Sequence, residues 1–196
     1  MQRLTLLLFP MILPLFLLSA CLPPHEFAGT LLSAPHPAPD IALMSADGPV
    51  QLSDFRGKWT FLYFGYTFCP DACPLTLSKL TNVHQQLDDA ADQMQVVMVS
   101  VDPERDSPEI LDTYVHYFDE SFVGITGSKA DIDALGEPFG IYYEKGEGSA
   151  ATGYLVIHST RFYLIDPDGN ARVAYPHETT DEQVLSDLQY LLRTES

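Results

Sequence analysis

The stretch Phe61-Leu62-Tyr63-Phe64-Gly65-Tyr66-Thr67-Phe68-Cys69-Pro70-Asp71-Ala72-Cys73-Pro74 constrains this chain more than any other. Its first half is apolar, aromatic and strand-prone, and its second half is a Pro-bounded turn that opens into helical periodicity. Cys69 and Cys73 lie one helical turn apart, so both sulfurs can project from the same side of the chain where the helix begins. Unpaired N–H groups and the positive end of the helix dipole at that point favour thiolate over thiol. A thiolate pair so placed serves redox chemistry or a soft metal ion, and the spacing alone leaves both open.

The N-terminal stretch bears on the compartment. Met1-Gln2-Arg3 is a short basic head, and Leu4 to Leu18 is uncharged and almost wholly apolar, matching the h-region of a secretory signal better than a membrane span. Leu18-Ser19-Ala20-Cys21 resembles a bacterial lipoprotein box. That resemblance implies a signal peptide over residues 1–20 and a lipidated Cys21 that anchors the chain and takes no part in the chemistry of the other two cysteines. Residues 21–39 are rich in Pro and lack a hydrophobic period, so they read as a semi-rigid tether on which His25 and His36 are solvated. The folded domain is expected over residues 40–196. In an exported setting Cys69 and Cys73 can equally be read as a disulfide.

With 196 residues, 46% of them hydrophobic, the chain suffices for one domain with a sizeable core. A formal net charge of -17 argues against nucleic acid or an anionic membrane surface as partner. Asp47-Gly48 between apolar flanks predicts a small hairpin; Lys58–Tyr66 predicts a buried central strand; and Leu77, Leu80, His84, Leu87 and Ala91 mark one helix face. Gln95–Val101 reads as a second strand, in which Met94 and Met98 are core filling rather than ligands. His84 is expected as a satisfied boundary histidine and His116 as a solvated one. The loop Asp102–Asp106 holds Asp102 and Arg105, read as a structural clamp, and Ser107-Pro108 opens a further helix. Phe122–Thr126 is a short strand, Ser128 caps a brief helix, and Ile141–Ala151 looks like an excursion or loop rather than core. A strand pair turns at Asp166-Pro167-Asp168-Gly169, and an amphipathic helix capped at Thr180 closes the chain.

This order predicts an α/β, thioredoxin-like fold with an N-terminal β-hairpin extension and an inserted loop before the final strand pair. It puts the cysteines at the carboxyl end of the first main strand, where open α/β sheets carry their reactive sites. Three motifs in order, Phe64 to Pro74, Val101 to Pro108, and His158-Ser159-Thr160 followed by Phe162 to Pro167, closely resemble the Sco/SenC family of copper proteins. The resemblance runs from about Pro39 to Leu192. It implies that Cys69, Cys73 and His158 ligate copper, as Cu(I) or Cu(II), and that the protein is a metallochaperone rather than an enzyme. It further implies delivery of copper to, or preparation of the thiols of, the binuclear copper site of cytochrome c oxidase. Subunit II is then the partner, a periplasmic thiol reductant keeps the pair open, and the chain faces the periplasm from a lipid anchor in a bacterial cell envelope.

Family members often carry a histidine just before the first cysteine, where this chain has Phe68. The donor chemistry agrees: two thiolates suit Cu(I), and an imidazole is acceptable to both oxidation states. Asp71, between the cysteines, either supports the ligands by hydrogen bonding or is an ordinary turn aspartate. The competing readings are a membrane-anchored thiol–disulfide oxidoreductase and a copper or redox sensor using the same cysteines. Against the former stand a spacing wider than Cys-x-x-Cys and a histidine where thioredoxin-like enzymes place a proline. A peroxiredoxin motif is absent, because Thr67 is only two residues before Cys69.

Overall fold

Every residue from Trp59 to Gly65 is buried, as a strand with neighbours on both edges and helices over both faces requires. The computed structural model describes residues 25–149 and 153–195. The expected signal peptide and Cys21 lie outside the described residues. In chain order the strands are β1 (Thr30–Pro37), β2 (Leu43–Ser45), β3 (Gly48–Val50), β4 (Trp59–Gly65), β5 (Met94–Ser100), β6 (Val123–Ile125), β7 (Tyr143–Ser149), β8 (Gly153–His158), β9 (Phe162–Ile165) and β10 (Asn170–Tyr175). The helices are α1 (Ala72–Gln86), α2 (Pro108–His116), α3 (Lys129–Gly136) and α4 (Asp181–Thr194).

Six strands form the main sheet in the order β1-β10-β9-β4-β5-β6. β4 runs parallel to β5 and antiparallel to β9, and β5 runs parallel to β6. The parallel pairs need helical crossovers, which α1 and α2 supply; the antiparallel pair β9–β10 needs only its Asp166–Gly169 turn. α1 packs beside α4, and α2 lies close on β6. That approach depends on Gly124, where an added Cβ would fall 2.6 Å from Leu111 Cγ. Met94 and Met98 are buried in the core, as expected. His84 bonds Asp119 at 2.9 Å, and the more open His116 lies 3.3 Å from Asp112. The thioredoxin-like α/β expectation and the β2–β3 hairpin both stand.

Two expectations need correction. Residues 141–151, read as an excursion or loop rather than core, do stand outside the main sheet, but they contribute a strand rather than a loop: β7 and β8 form a two-stranded sheet of their own. Gly146 and Gly148 hid it by lowering strand propensity. The tether is also not one along its full length. Thr30–Pro37 pairs with β10 as the sheet's edge strand, a position that tolerates Pro35 and Pro37 because its outer N–H groups need no partner.

His25, expected to be solvated, is only 17% exposed. Its Nε2 lies 2.7 Å from the Oδ1 of Asp187 on α4, and its ring stacks on Tyr190 at 4.4 Å. The other oxygen of Asp187, itself 1% exposed, accepts the Ala28 and Gly29 backbone N–H groups. Asp187→Ala strands these donors. It is expected to cost about 2 kcal/mol in denaturant unfolding and to open residues 25–37 to proteolysis. Unchanged stability and protease resistance would show that the segment docks without this carboxylate.

Candidate metal centre

β4 delivers the cysteine turn, and α1 starts within it. The turn is seated from below by Asp106, which is fully buried. Its carboxylate accepts the Thr67 N–H at 3.0 Å, the Thr67 hydroxyl, and the Ser100 hydroxyl at 2.6 Å. Cys73 is buried inside the first turn of α1, whereas Cys69 is half-buried at its lip. The Cys73 sulfur lies over Gly65, where a Cβ would come within 2.7 Å of it. The glycine in an otherwise bulky strand therefore makes room for a ligand. The Tyr63 hydroxyl, sealed in the core, donates to Cys73 Sγ at 3.3 Å.

β8 supplies the third donor at its last residue, His158. His158 Nε2 is 3.8 Å from Cys69 Sγ and 3.7 Å from Cys73 Sγ. Its Nδ1 hydrogen-bonds the Ser159 carbonyl at 2.9 Å, which places the proton on Nδ1 and leaves the Nε2 lone pair facing the sulfurs. The rings of Tyr66 and Tyr63 wall the imidazole at 5.6 and 6.4 Å. Cys69, Cys73 and His158 are the one group of described residues whose donor atoms gather as a metal site does, all within 4.8 Å of one another. Three ligands around a single first-row ion, at distances of roughly 2.0–2.3 Å, leave edges of about 3.5–4 Å between donors. The sulfur–nitrogen edges already have that length.

Asp71 sits at the N-cap position of α1, but its side chain makes no capping bond. Its backbone N–H instead points at Cys69 Sγ. The hydrogen bond from the Cys73 thiol holds Cys69 well below the usual thiol range, with the backbone N–H groups of Asp71 and Cys73 assisting against desolvation. Cys73 moves the other way, because burial, then its hydrogen bond to Cys69 and the Cys69 charge, keep it protonated. The pair thus holds one proton, on the inner sulfur.

Sequence reasoning missed Tyr63, Gly65 and Asp106. Gly65 alone carried a signal, since a glycine inside a strand marks a close approach.

The depressed Cys69 has a direct consequence. An ordinary cysteine, with a pKa near ~8.5, loses alkylation rate about tenfold per pH unit below that value. Cys69 in the reduced, metal-free protein is expected instead to react at a nearly constant rate from pH 9 to pH 5, because it stays ionised throughout. Cys73→Ser is expected to restore part of the slope. An ordinary slope in the wild type would contradict the assignment.

A family model described as SCO1/SenC matches residues 33–193. The chain is 36% identical over 153 residues to the mitochondrial Protein SCO2 homolog of Bos taurus, a match covering 76% of this chain and 58% of the relative. It therefore spans little more than half the length of that protein. The solution structure of apo Sco1 from Thermus thermophilus matches with a TM-score of 0.77 and 38% identity, covering 86% of this chain and 99% of that one. The crystal structure of Arabidopsis thaliana ScoI with copper bound matches with a TM-score of 0.75 and 33% identity, covering 80% and 98%. Nearly the whole folded domain is thus accounted for, and the chain belongs to the SCO1/SenC family.

Proposed function

We propose that this protein holds one copper ion between Cys69, Cys73 and His158 and passes it to a partner, the binuclear copper site in subunit II of cytochrome c oxidase. The observation that carries the reading is the convergence of two sulfurs and one bare imidazole nitrogen at metal-ligand spacing. Thiolates suit Cu(I), and the imidazole keeps Cu(II) within reach of the same site. Asp71 supports the site through its backbone N–H, and the buried Tyr63 hydroxyl fixes the inner sulfur.

Burial gives the transfer a direction. Cys73 lies deepest, while Cys69 and His158 face outward, so an incoming ligand from the partner replaces an outer donor first and Cys73 releases the ion last. A Cys69–Cys73 disulfide would remove both thiolates, so a periplasmic thiol reductant is required upstream. Lipidation at Cys21 would hold the chain at a bacterial membrane facing the periplasm, with residues from His25 onward docked on the domain. Among the described residues no helix is long and apolar enough to cross a membrane.

The ionised Cys69 beside a protonated Cys73 also supports a second reading, thiol–disulfide exchange, because that asymmetry suits an attacking and a resolving sulfur. One titration separates the two. Anaerobic Cu(I) added to the reduced full-length protein at pH 7 is expected to bind one per chain and to release about one proton per ion, since only Cys73 has a proton to lose. His158→Ala is expected to weaken binding and Cys69→Ser to abolish tight binding. Absence of binding, or binding indifferent to His158, would overturn the copper site in favour of exchange.

A further inference from the structure

The sheet β7–β8, which ends in His158, shares no ladder with the six-stranded sheet that presents the cysteines. Backbone pairing fixes the hairpin internally, with Tyr143 opposite His158, and the short link of residues 159–161 ties His158 to β9, whose Phe162 lies opposite Tyr63 on β4. The rest of the hairpin is held against the cysteine turn by side chains.

Arg105, in the loop after β5, stands between the two parts. Its Nε pairs with Asp102, which is 2% exposed and so is itself held in place. Its Nη1 donates to the Tyr154 carbonyl on β8 at 3.0 Å. The guanidinium carbon lies 3.7 Å from the centre of the Tyr154 ring and 4.8 Å from that of Phe68. The Tyr154 hydroxyl closes the circuit by donating to Asp102 Oδ1 at 2.6 Å. One flat cation is thus stacked between the residue next to Cys69 and Tyr154, four residues before His158 on the same strand. Beside it the Tyr66 hydroxyl accepts the Val156 N–H at 3.2 Å while its ring walls His158. Only a planar, forked donor can stack on rings and bond a carbonyl and a carboxylate at once.

We propose that Arg105 is a positioning residue for the metal centre: it clasps the His158 hairpin onto the cysteine turn and so sets whether the third ligand reaches the ion. This rests on the copper reading above and adds to it a division of labour. The cysteines form a fixed half-site, and His158 is a separable arm whose engagement Arg105 governs. A loop clamp that served folding alone would affect copper binding whether or not His158 were present, whereas a clasp acting through His158 has nothing to hold once the imidazole is gone.

The test is a double-mutant cycle on the reduced full-length protein, with Cu(I) affinity measured anaerobically by competition for the wild type, Arg105→Ala, His158→Ala and the double variant. Arg105→Ala is expected to weaken binding about tenfold or more, the scale of loss when a residue supporting a metal ligand is removed. In the His158→Ala background the same change is expected to cost less than about twofold. Arg105→Lys keeps the charge but loses the fork and the stack, and is expected to behave as Arg105→Ala. Equal losses in both backgrounds, or no loss in the wild-type background, would overturn the proposal. If His158→Ala alone binds as the wild type does, the copper reading fails instead, a comparison in which Arg105 plays no part. Circular dichroism monitors folding, and if Arg105→Ala does not fold, Tyr154→Leu runs the same cycle from the hairpin side with the same expected coupling.

Discussion

Everything at the metal centre is referenced to the contact between the Cys73 sulfur and the Cα of Gly65 at the end of the central strand. Close packing makes this a fixed point, since a buried sulfur with Tyr63 bonded to it and no Cβ beneath it has one place to sit. The strand that supplies the contact is buried along its whole length. Displacement of Cys73 would therefore have to disturb the core as well. Asp106 does the same for the other end of the turn, binding Thr67 and Ser100 with one carboxylate.

From that fixed point outward, the site becomes progressively softer. Cys69 is half-buried and carries the negative charge of the pair; His158 arrives on a hairpin that shares no ladder with the main sheet and is tied to it by the short link into β9 and by side chains. This gradient suits a protein that must bind an ion firmly enough to carry it and loosely enough to surrender it. A buried anchor resists release, and outer donors exchange one at a time. The depressed Cys69 adds to this, because one ligand is ready at neutral pH while the other gives up its proton only when the ion is there to replace it.

Much of this was legible in the sequence. The aromatic run ending in two cysteines, the second strand, and the turn at Asp166–Gly169 are local signals, and they fix the order of elements and the end of the sheet at which the chemistry lies. His158 was reachable only by resemblance to a family, because position alone makes it an ordinary loop histidine. What escaped reading depends on partners far apart in the chain. β1 is a strand because β10 offers it an edge, and its prolines disguise it. His25 is ordered by Asp187, which lies 162 residues away. Arg105 reads as a local clamp to Asp102 until the fold lays Tyr154 over it, 49 residues on. Local propensity and periodicity carry no information about such pairings.

X-ray absorption of the Cu(I)-loaded protein tests the central claim most directly, because it counts the donors around the ion. The account requires two sulfurs at roughly 2.3 Å and one imidazole nitrogen near ~2.0 Å, the distances typical of first-row ions, with the imidazole scattering lost in His158→Ala. Two sulfurs alone in the wild type, with a spectrum unchanged by His158→Ala, would contradict it.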